Sequence, residues 1–342
     1  MTKIHEHLAK TFHLQPGHSP WPRMILSALS VLLPLLVGYF REEEKISILG
    51  ALFGFILILN DHFGPLGQRI IHLITAYLFI MTGVFMGVLL MDSPWLLLSA
   101  LFAMAYLLGK SKGLGLELER MLLFTTLQLL AASQTPELKD YFLKAVFYTS
   151  FSFFNYLLCL CLVYLMMKHS PNFQKSKRQV FKEGWSKKET NWYALVLAFM
   201  ACLGLVVAEI LKLEKGFWVV GTILIVMMPD KKQSLYKSFQ RLLGTLVGVL
   251  IASLLMKWGH DTIFLIVFST LAAFFAPLGL MKNYALANIF IAGLILFFLE
   301  MSESVPHVGD FDLAITRFID IALGCLIGII GTLIAFPNRK PS

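Results

Sequence analysis

Two stretches of this 342-residue sequence decide the fold: KISILGALFGFILILND, from Lys45 to Asp61, and KGFWVVGTILIVMMPD, from Lys215 to Asp230. Each has a lysine, a short apolar run that contains glycine, and an aspartate at its end. A Gln-Arg pair follows each stretch, at Gln68-Arg69 and at Gln240-Arg241. Self-similarity at a fixed spacing, here about 170 residues, is typical of an internal structural repeat. We therefore expect the chain to consist of two related halves.

Long apolar runs lie on both sides of each stretch. Hydrophobic residues make up 57% of the chain and charged residues 15%, and the mean hydropathy is +0.73, whereas about a quarter of the residues of a soluble domain are charged. Uninterrupted runs of this length suit membrane-spanning helices and not the alternating strands of a barrel. We predict an all-α polytopic membrane protein with twelve spans, Met24–Phe40, Ile46–Asn60, Ile70–Met91, Trp95–Gly109, Leu116–Ser133, Tyr141–Met167, Trp192–Leu211, Gly216–Met228, Leu242–Met256, Thr262–Met281, Tyr284–Leu299 and Leu313–Phe336.

The polar segments between the spans predict the domain organisation. Residues 1–23 lack the apolar core of a signal peptide and are predicted to be a cytoplasmic lead-in. Residues 24–167 and 192–337 are the two predicted six-helix repeats, which are parallel because each has an even number of spans; 168–191 is a basic linker and 338–342 a tail. Lys and Arg concentrate on the side of the N-terminus, so the positive-inside rule places both termini and the linker in the cytoplasm. The formal net charge of +8 then needs no nucleic-acid partner, and the basic linker is an alternative site of contact with anionic lipids.

The second span of each half is the shortest. Ile46–Asn60 and Gly216–Met228 fall below the roughly 17 residues of an ordinary spanning helix. Short or broken helices at matching places in two repeats are typical of a transport pathway; a tilted helix is the alternative. We predict pathway residues at these spans and at the helix starts that follow them, Asn60, Asp61, Arg69, Trp218, Asp230 and Arg241. For Arg69 and Arg241, an anchor that reaches the lipid headgroups is the alternative.

The last span carries Arg317 and Asp320 one helical turn apart. Because a charge in hydrocarbon is costly, we expect both to point into the helix bundle. They share a helix face with a glycine stripe, which allows close helix packing. Two interpretations remain open: a salt bridge that only locks the helix, or an arginine that attracts an anionic substrate beside an aspartate that positions it or titrates with a coupling proton. The predicted packing glycines are Gly83, Gly87, Gly244, Gly248, Gly324 and Gly328.

Motifs of catalysis and of cofactor binding are absent. The sequence has no HExxH, GxSxG, GxxxxGK[ST] or GxGxxG, and the cysteines Cys159, Cys161, Cys202 and Cys325 lie inside apolar runs without CxxC spacing. We expect no enzyme activity, no cofactor and no metal. Transport would then depend on a gradient or on a separate subunit.

Three segments resemble the second module of the fusaric acid resistance protein-like (FUSC) family. They are GFWVVGTILIVMMPDKKQSLYKSFQRLLGTLVGVL (Gly216–Leu250), KNYALANIF (Lys282–Phe290) and TRFIDIALGCLIGIIGTLIAFP (Thr316–Pro337). The resemblance lies in a Trp-containing short helix that ends in Pro, an Arg-x-x-Gly-Thr-x-x-Gly pattern and a final Arg-x-x-Asp helix that ends in Pro. The matching residues are Trp218, Pro229, Arg241, Gly244, Thr245, Gly248, Arg317, Asp320, Gly324 and Pro337. The first half is similar to the family's more divergent N-terminal module.

This resemblance implies a multi-pass inner-membrane exporter of aromatic carboxylic acids or similar amphipathic anions. We expect the export to be driven by protons or to be passive, with membrane lipids around the protein. The fold also resembles the plant aluminium-activated malate transporters, which implies a homodimer as an option. The chain departs from larger family members because a 24-residue linker stands where they carry a soluble domain. Two alternatives remain open: an anion channel on the same scaffold, and a structural or lipid-handling membrane protein.

Overall fold

The fold is helical throughout the part of the chain that the structure describes. The computed structural model describes residues 19–62, 64–112, 114–167, 187–213, 215–259, 261–302 and 312–336, and no strand occurs in these ranges. The twelve α-helices there are α1 Trp21–Phe40, α2 Glu44–Asn60, α3 Leu66–Leu90, α4 Pro94–Ser111, α5 Leu116–Ser133, α6 Phe142–Met167, α7 Lys187–Ile210, α8 Phe217–Val226, α9 Lys231–Met256, α10 Thr262–Lys282, α11 Tyr284–Ser302 and α12 Asp312–Ala335. A short 3₁₀ helix, Pro136–Leu138, precedes α6.

Nine of these helices are long and apolar enough to cross a membrane. The other three are α2, with 17 residues, α8, with 10 residues, and α5, which carries Glu117, Glu119 and Arg120 in its first turns. The prediction of an all-α polytopic membrane protein is confirmed, whereas the count of twelve spans stays a prediction. The cytoplasmic lead-in, the linker and the tail lie wholly or largely outside the described residues.

One helix begins well before its predicted span. Span nine was predicted to begin at Leu242, directly after Arg241, but α9 begins at Lys231. Its first turns are polar, so a search for apolar residues misses them, yet the helix continues through them without a break. Arg241 consequently lies about 15 Å along the helix axis, whereas Arg69 lies in the first turn of α3.

The helices form two compact units, and each unit takes helices from both halves of the sequence. Unit 1 comprises residues 1–58, 142–167 and 239–319. Unit 2 comprises residues 59–141, 168–238 and 320–342. The unit boundaries therefore do not follow the predicted halves; the division into six-helix repeats stays a prediction.

In unit 2, the short helix α8 is surrounded by other helices. Seven of its ten residues are buried. Gly221 faces Leu127 of α5, Gly204 of α7 faces Ile223, and Gly324 of α12 faces Thr222. A helix whose faces are all apolar is buried among other helices, and α8 accordingly lies at the centre of its unit.

In unit 1, α9 and α11 are parallel neighbours. An added Cβ at Gly244 would lie 2.4 Å from the carbonyl oxygen of Ala285, and one at Gly248 would lie 2.4 Å from that of Ile289. Unit 2 contains the same arrangement between α3 and α5, where Gly83 and Gly87 meet the carbonyl oxygens of two α5 residues, Thr125 and Leu129, also at 2.4 Å. Such close approach requires residues without a side chain.

Candidate functional site at the ends of the short helices

The C-terminal end of α2 exposes backbone carbonyls that lack helical partners. In unit 2, the Arg120 guanidinium donates to the carbonyl of Leu59 at 3.2 Å, and Nε2 of His72 lies 2.9 Å from the carbonyl oxygen of Asn60. In unit 1, the Arg23 guanidinium donates to the carbonyl of Ile58 at 3.0 Å. Cationic groups are favoured at this end of a helix because its dipole is negative there.

Asp61 follows α2 directly and forms a buried ion pair with Arg69. Nε of Arg69 donates to Oδ1 of Asp61 at 2.9 Å, and the guanidinium makes a second, short contact with Oδ2. The backbone N–H of His62 also donates to Oδ1, at 2.9 Å. Asp61 is fully buried and Arg69 is 2% exposed. The bidentate geometry is that of a strong charge-assisted pair. It joins Asp61 and Arg69, which the sequence analysis named as pathway residues, and the pathway itself stays a prediction.

Two histidines stand beside this pair. The rings of His62 and His72 lie 4.9 Å apart, edge to face, and Nε2 of His62 is 3.9 Å from Oε1 of Glu117. Burial lowers the pKa of His62 below its usual value, and the neighbouring His72 lowers it further. Among the residues that the structure describes, no three His, Cys, Asp or Glu residues are placed to hold a metal ion. The cluster therefore offers a titratable group and a fixed ion pair at one helix end.

The end of α8 is built with neutral donors instead. Met227 adopts an extended conformation, and the hydroxyl of Tyr193 donates to its carbonyl at 2.8 Å. Ser234 donates to the carbonyl of Val226 at 2.8 Å. The side chain of Asp230 accepts the backbone N–H of Lys232 at 3.2 Å and caps α9.

A buried lysine lies in the turn between α4 and α5, also in unit 2. Nζ of Lys112 is 2.9 Å from Oε1 of Glu119 and 3.7 Å from Sδ of Met228. Burial by itself lowers the pKa of Lys112, but Tyr193 and Glu119 outweigh that effect, so the pKa stands above its usual range. The lysine is therefore charged and is held beside the non-helical segment that follows α8.

Asp320 is fully buried in unit 2. One turn later on α12, an added Cβ at Gly324 would meet Val219 and Thr222, and one at Gly328 would meet Val226. Because the later glycine on α12 meets the later residue on α8, the two helices run parallel. Asp320 therefore lies at the level of the N-terminus of α8, where a helix dipole favours negative charge.

Two other predicted residues occupy the beginning of α8. The N–H of Phe217 is bonded to Oε1 of Gln134 at 3.2 Å. Trp218 is half-buried and its ring lies 4.7 Å from that of Phe217. The start of α8 is thus held by the side-chain amide of Gln134, the residue that follows α5, and carries two aromatic rings.

The remaining two predicted arginines belong to unit 1. Arg317 lies on α12 and is 6% exposed. Arg241 is half-buried on α9, and its guanidinium donates to the hydroxyl of Tyr284 at 3.2 Å and to Oδ1 of Asn288 at 3.5 Å, both on α11. Arg241 therefore links α9 to α11; its role in the pathway or as a headgroup anchor stays a prediction.

Several residues of the site were not predicted from the sequence: Arg23, His62, His72, Lys112, Arg120 and Tyr193. One signal for His72 was available, because it follows Arg69 by three residues and therefore shares its helix face. Arg120 and Tyr193 donate to backbone carbonyls that are distant in the sequence. A backbone carbonyl is present in every residue, so a residue pattern cannot predict such a partner.

The family assignment follows from comparison with known sequences. The family model described as fusaric acid resistance protein-like matches residues 191–331, from the start of α7 to the second half of α12. Residues 191–331 are therefore similar to a fusaric acid resistance protein-like module. The resemblance that was predicted for Gly216–Pro337 is thereby confirmed.

Two curated relatives share part of the sequence. An uncharacterised protein of Synechocystis sp. is 31% identical over 114 residues, which are 33% of this chain and 15% of that protein. Inner membrane protein YccS of Escherichia coli is 27% identical over 139 residues, which are 40% of this chain and 18% of that protein. The matched segments thus cover less than a fifth of either relative. No solved structure matches the chain. The fusaric acid resistance-like module and the nine apolar helices together make the chain a multi-pass membrane protein.

Proposed function

We propose that this protein is a membrane transporter that exports small organic anions, in particular aromatic carboxylates, and that the proton gradient drives the export. The proposal assigns it no enzymatic reaction. An anion channel on the same scaffold is the second candidate, because a channel and an exporter need the same charged groups. A lipid-handling role without flux of small molecules is the third.

The observation that carries the proposal is the buried Asp61–Arg69 pair at the end of α2. Buried ionisable groups in an apolar helix bundle are expensive, and most mark a pathway for ions or substrates. Here the pair adjoins the non-helical stop of a short helix, which is where a transporter exposes backbone groups and helix ends to its substrate. His62 adds a titratable imidazole, whose pKa is lowered by burial, and proton coupling requires a titratable group.

Matching glycine contacts in the two units support the same proposal. The glycine contacts of α3 with α5 and of α9 with α11 have the same spacing and the same distances. Unit 2 contains α3 to α5 with α7 and α8, and unit 1 contains α9 to α11 with α1 and most of α2. Each helix of one set corresponds to the helix of the other set whose number differs by six. Two related units with short helices at equivalent places are the architecture that we propose for the transport cycle.

Flux measurements test the proposal. The purified protein is reconstituted in vesicles, and the vesicles are loaded with a radiolabelled single-ring aromatic carboxylate such as benzoate. Efflux of the label is followed with and without a pH gradient. We expect efflux that the gradient accelerates. Efflux that ignores the pH gradient but follows an imposed voltage would identify a channel. Efflux no faster than from protein-free vesicles would reject both and leave the lipid-handling role.

A matched pair of variants shows whether the buried pair is required. The Asp61→Asn/Arg69→Gln double variant removes both charges without leaving one of them alone, and we expect it to abolish the gradient-driven efflux. The control is Asp92→Asn/Lys139→Gln, which removes an ion pair whose side chains are 77% and 43% exposed. Exposed pairs contribute little, so the control should export normally.

A further inference from the structure

Unit 1 contains an apolar cavity of about 220 Å³ between α9, α10 and α11. The cavity is partly open, and two of its lining residues, Ile251 and Leu271, are about half exposed. Its twelve lining residues are all apolar: Gly248, Ile251, Ala252, Leu255, Phe268, Leu271, Ala272, Phe275, Ile289, Phe290, Gly293 and Phe297. A ligand that enters this cavity must therefore present an apolar surface, because a carboxylate would lose its hydration there without gaining a hydrogen bond.

Small residues create the cavity. Ala252 on α9, Ala272 on α10 and Gly293 on α11 stand where larger side chains would fill the space. At Gly293, an added Cβ would meet nothing closer than 3.9 Å, whereas at Gly248 it would lie 2.4 Å from a carbonyl oxygen. The glycine at position 293 is therefore not required for helix packing, and its effect is to leave room.

Two pairs of phenylalanine rings stand along the α10 and α11 walls. The rings of Phe268 and Phe297 are 6.0 Å apart at an angle of 45°, and those of Phe275 and Phe290 are 5.4 Å apart at an angle of 26°. The pairs are separated by two helical turns on each helix, about 10 Å along the axis. Aromatic rings attract a further ring in edge-to-face or offset geometry.

We propose that this cavity binds a single aromatic ring. An engineered apolar cavity of about 150 Å³ takes up benzene, and the present volume leaves space for one ring with a small substituent. Recognition in the cavity concerns the ring alone, because no polar side chain lines it. The proposal rests on the proposed function for the identity of the transported molecule that carries the ring, and ring binding can be measured without transport.

Photolabelling tests the proposal directly. The full-length protein in lipid nanodiscs is irradiated with a phenyl diazirine, a probe that consists of one ring and a reactive carbene source, and labelled peptides are identified by mass spectrometry. We expect saturable labelling of α9, α10 and α11 next to the cavity, and we expect excess toluene to suppress it. Competition by neutral toluene distinguishes recognition of the ring from recognition of a carboxylate.

Variants at two glycines make the test specific. Gly293→Leu places a side chain in the cavity and should reduce the saturable labelling at least tenfold. Gly67→Leu adds the same side chain to α3 in unit 2 at an exposed position with no atom within 4 Å, and labelling should be unchanged. Gly293→Ala fills less of the space and serves if the leucine variant fails to fold; it should weaken labelling and keep the unfolding temperature of the parent.

Each contrary result has a definite meaning. Labelling that does not saturate, or that is the same in Gly293→Leu, overturns the proposal. Labelling of the same peptides by a photoactivatable acyl chain that toluene does not displace also overturns it, in favour of a bound lipid. If ring binding is found but benzoate efflux is absent, the proposed function fails and the cavity proposal stands. If ring binding is absent and benzoate efflux is unaffected by Gly293→Leu, the cavity proposal fails and the proposed function stands.

Discussion

The hydroxyl of Tyr193 donates a 2.8 Å hydrogen bond to the carbonyl of Met227, the residue at which α8 stops being helical. In unit 1, Arg23 makes the corresponding bond to the carbonyl of Ile58 near the end of α2. Both donors and both acceptors are separated by about 170 residues, the spacing of the sequence repeat. Each half therefore holds the end of its short helix from the first helix of that half, by a neutral hydroxyl in one case and by a cation in the other.

The first prediction concerns the hydrogen bond from Tyr193 to the carbonyl of Met227. Tyr193→Phe removes the hydrogen bond to the buried carbonyl of Met227 and the interaction of the hydroxyl with Lys112. It should lower the free energy of unfolding by about 1–3 kcal/mol, since the acceptor is left without that donor. Thermal unfolding in detergent measures the change. Tyr236→Phe is the control, because that ring is partly exposed on α9; equal losses in both variants would contradict the structural role of Tyr193.

The second prediction separates the two charges of the buried pair. Asp61→Asn alone leaves the Arg69 guanidinium buried without its carboxylate, which costs about 3–5 kcal/mol, so the amount of folded protein in the membrane should fall. The double variant Asp61→Asn/Arg69→Gln should restore much of that amount. Quantitative blotting and size-exclusion profiles measure both, and a double variant less abundant than either single variant would refute the coupling.

The third prediction concerns Arg317, which is buried on the last helix. If it attracts the substrate, Arg317→Gln should raise the benzoate concentration that gives half-maximal transport while abundance stays normal. If it only balances Asp320, abundance should fall and Arg317→Gln/Asp320→Asn should recover it together with transport. Kinetics and abundance of the three variants are measured in the same vesicles, and normal transport by the double variant would eliminate both residues from the substrate site.

The fourth prediction is a pH dependence in the loop between α1 and α2. Hydrogen bonds from Lys144 and Tyr148, together with Arg41, lower the pKa of Glu43 from 4.5 to about 2. A carboxylate with a lowered pKa stabilises the fold above its unfolded-state value and loses that effect as the pH falls to the folded-state value. The loss of thermal stability in Glu43→Gln should thus be full above pH 4.5 and vanish towards pH 2; a loss independent of pH would show that charge is not its cause.

The fifth prediction is the orientation. Positive-inside counting places the turn after α4 in the cytoplasm and the turn after α5 outside. In a variant without the native cysteines, a cysteine at exposed Leu114 should resist an impermeant thiol reagent added to intact cells, and one at exposed Lys139 should react. The opposite pattern would invert the topology.

The sequence predicted the helices better than their contacts. Apolar runs located all twelve helices because burial in lipid or protein demands them; the start of α9 was missed because its polar first turns stay helical. Asn60, Asp61 and Arg69 could be grouped because they are close in sequence. Their connection to Arg120 could not be predicted, since only the packing of α5 against α3 brings that guanidinium to the end of α2.

The division into units also governs how the chain is made. Helices α3 to α5 pack with α7 and α8, which the ribosome delivers later, after α6 has joined the other unit. Neither unit can close during synthesis of the first half, so α4 stays in the bilayer without the partner that later packs against its Gly109, Ala194 of α7. Partner helices this far apart in sequence slow assembly and prolong exposure to membrane proteases. Two separately expressed halves should therefore be degraded when alone and survive only when they are synthesised together.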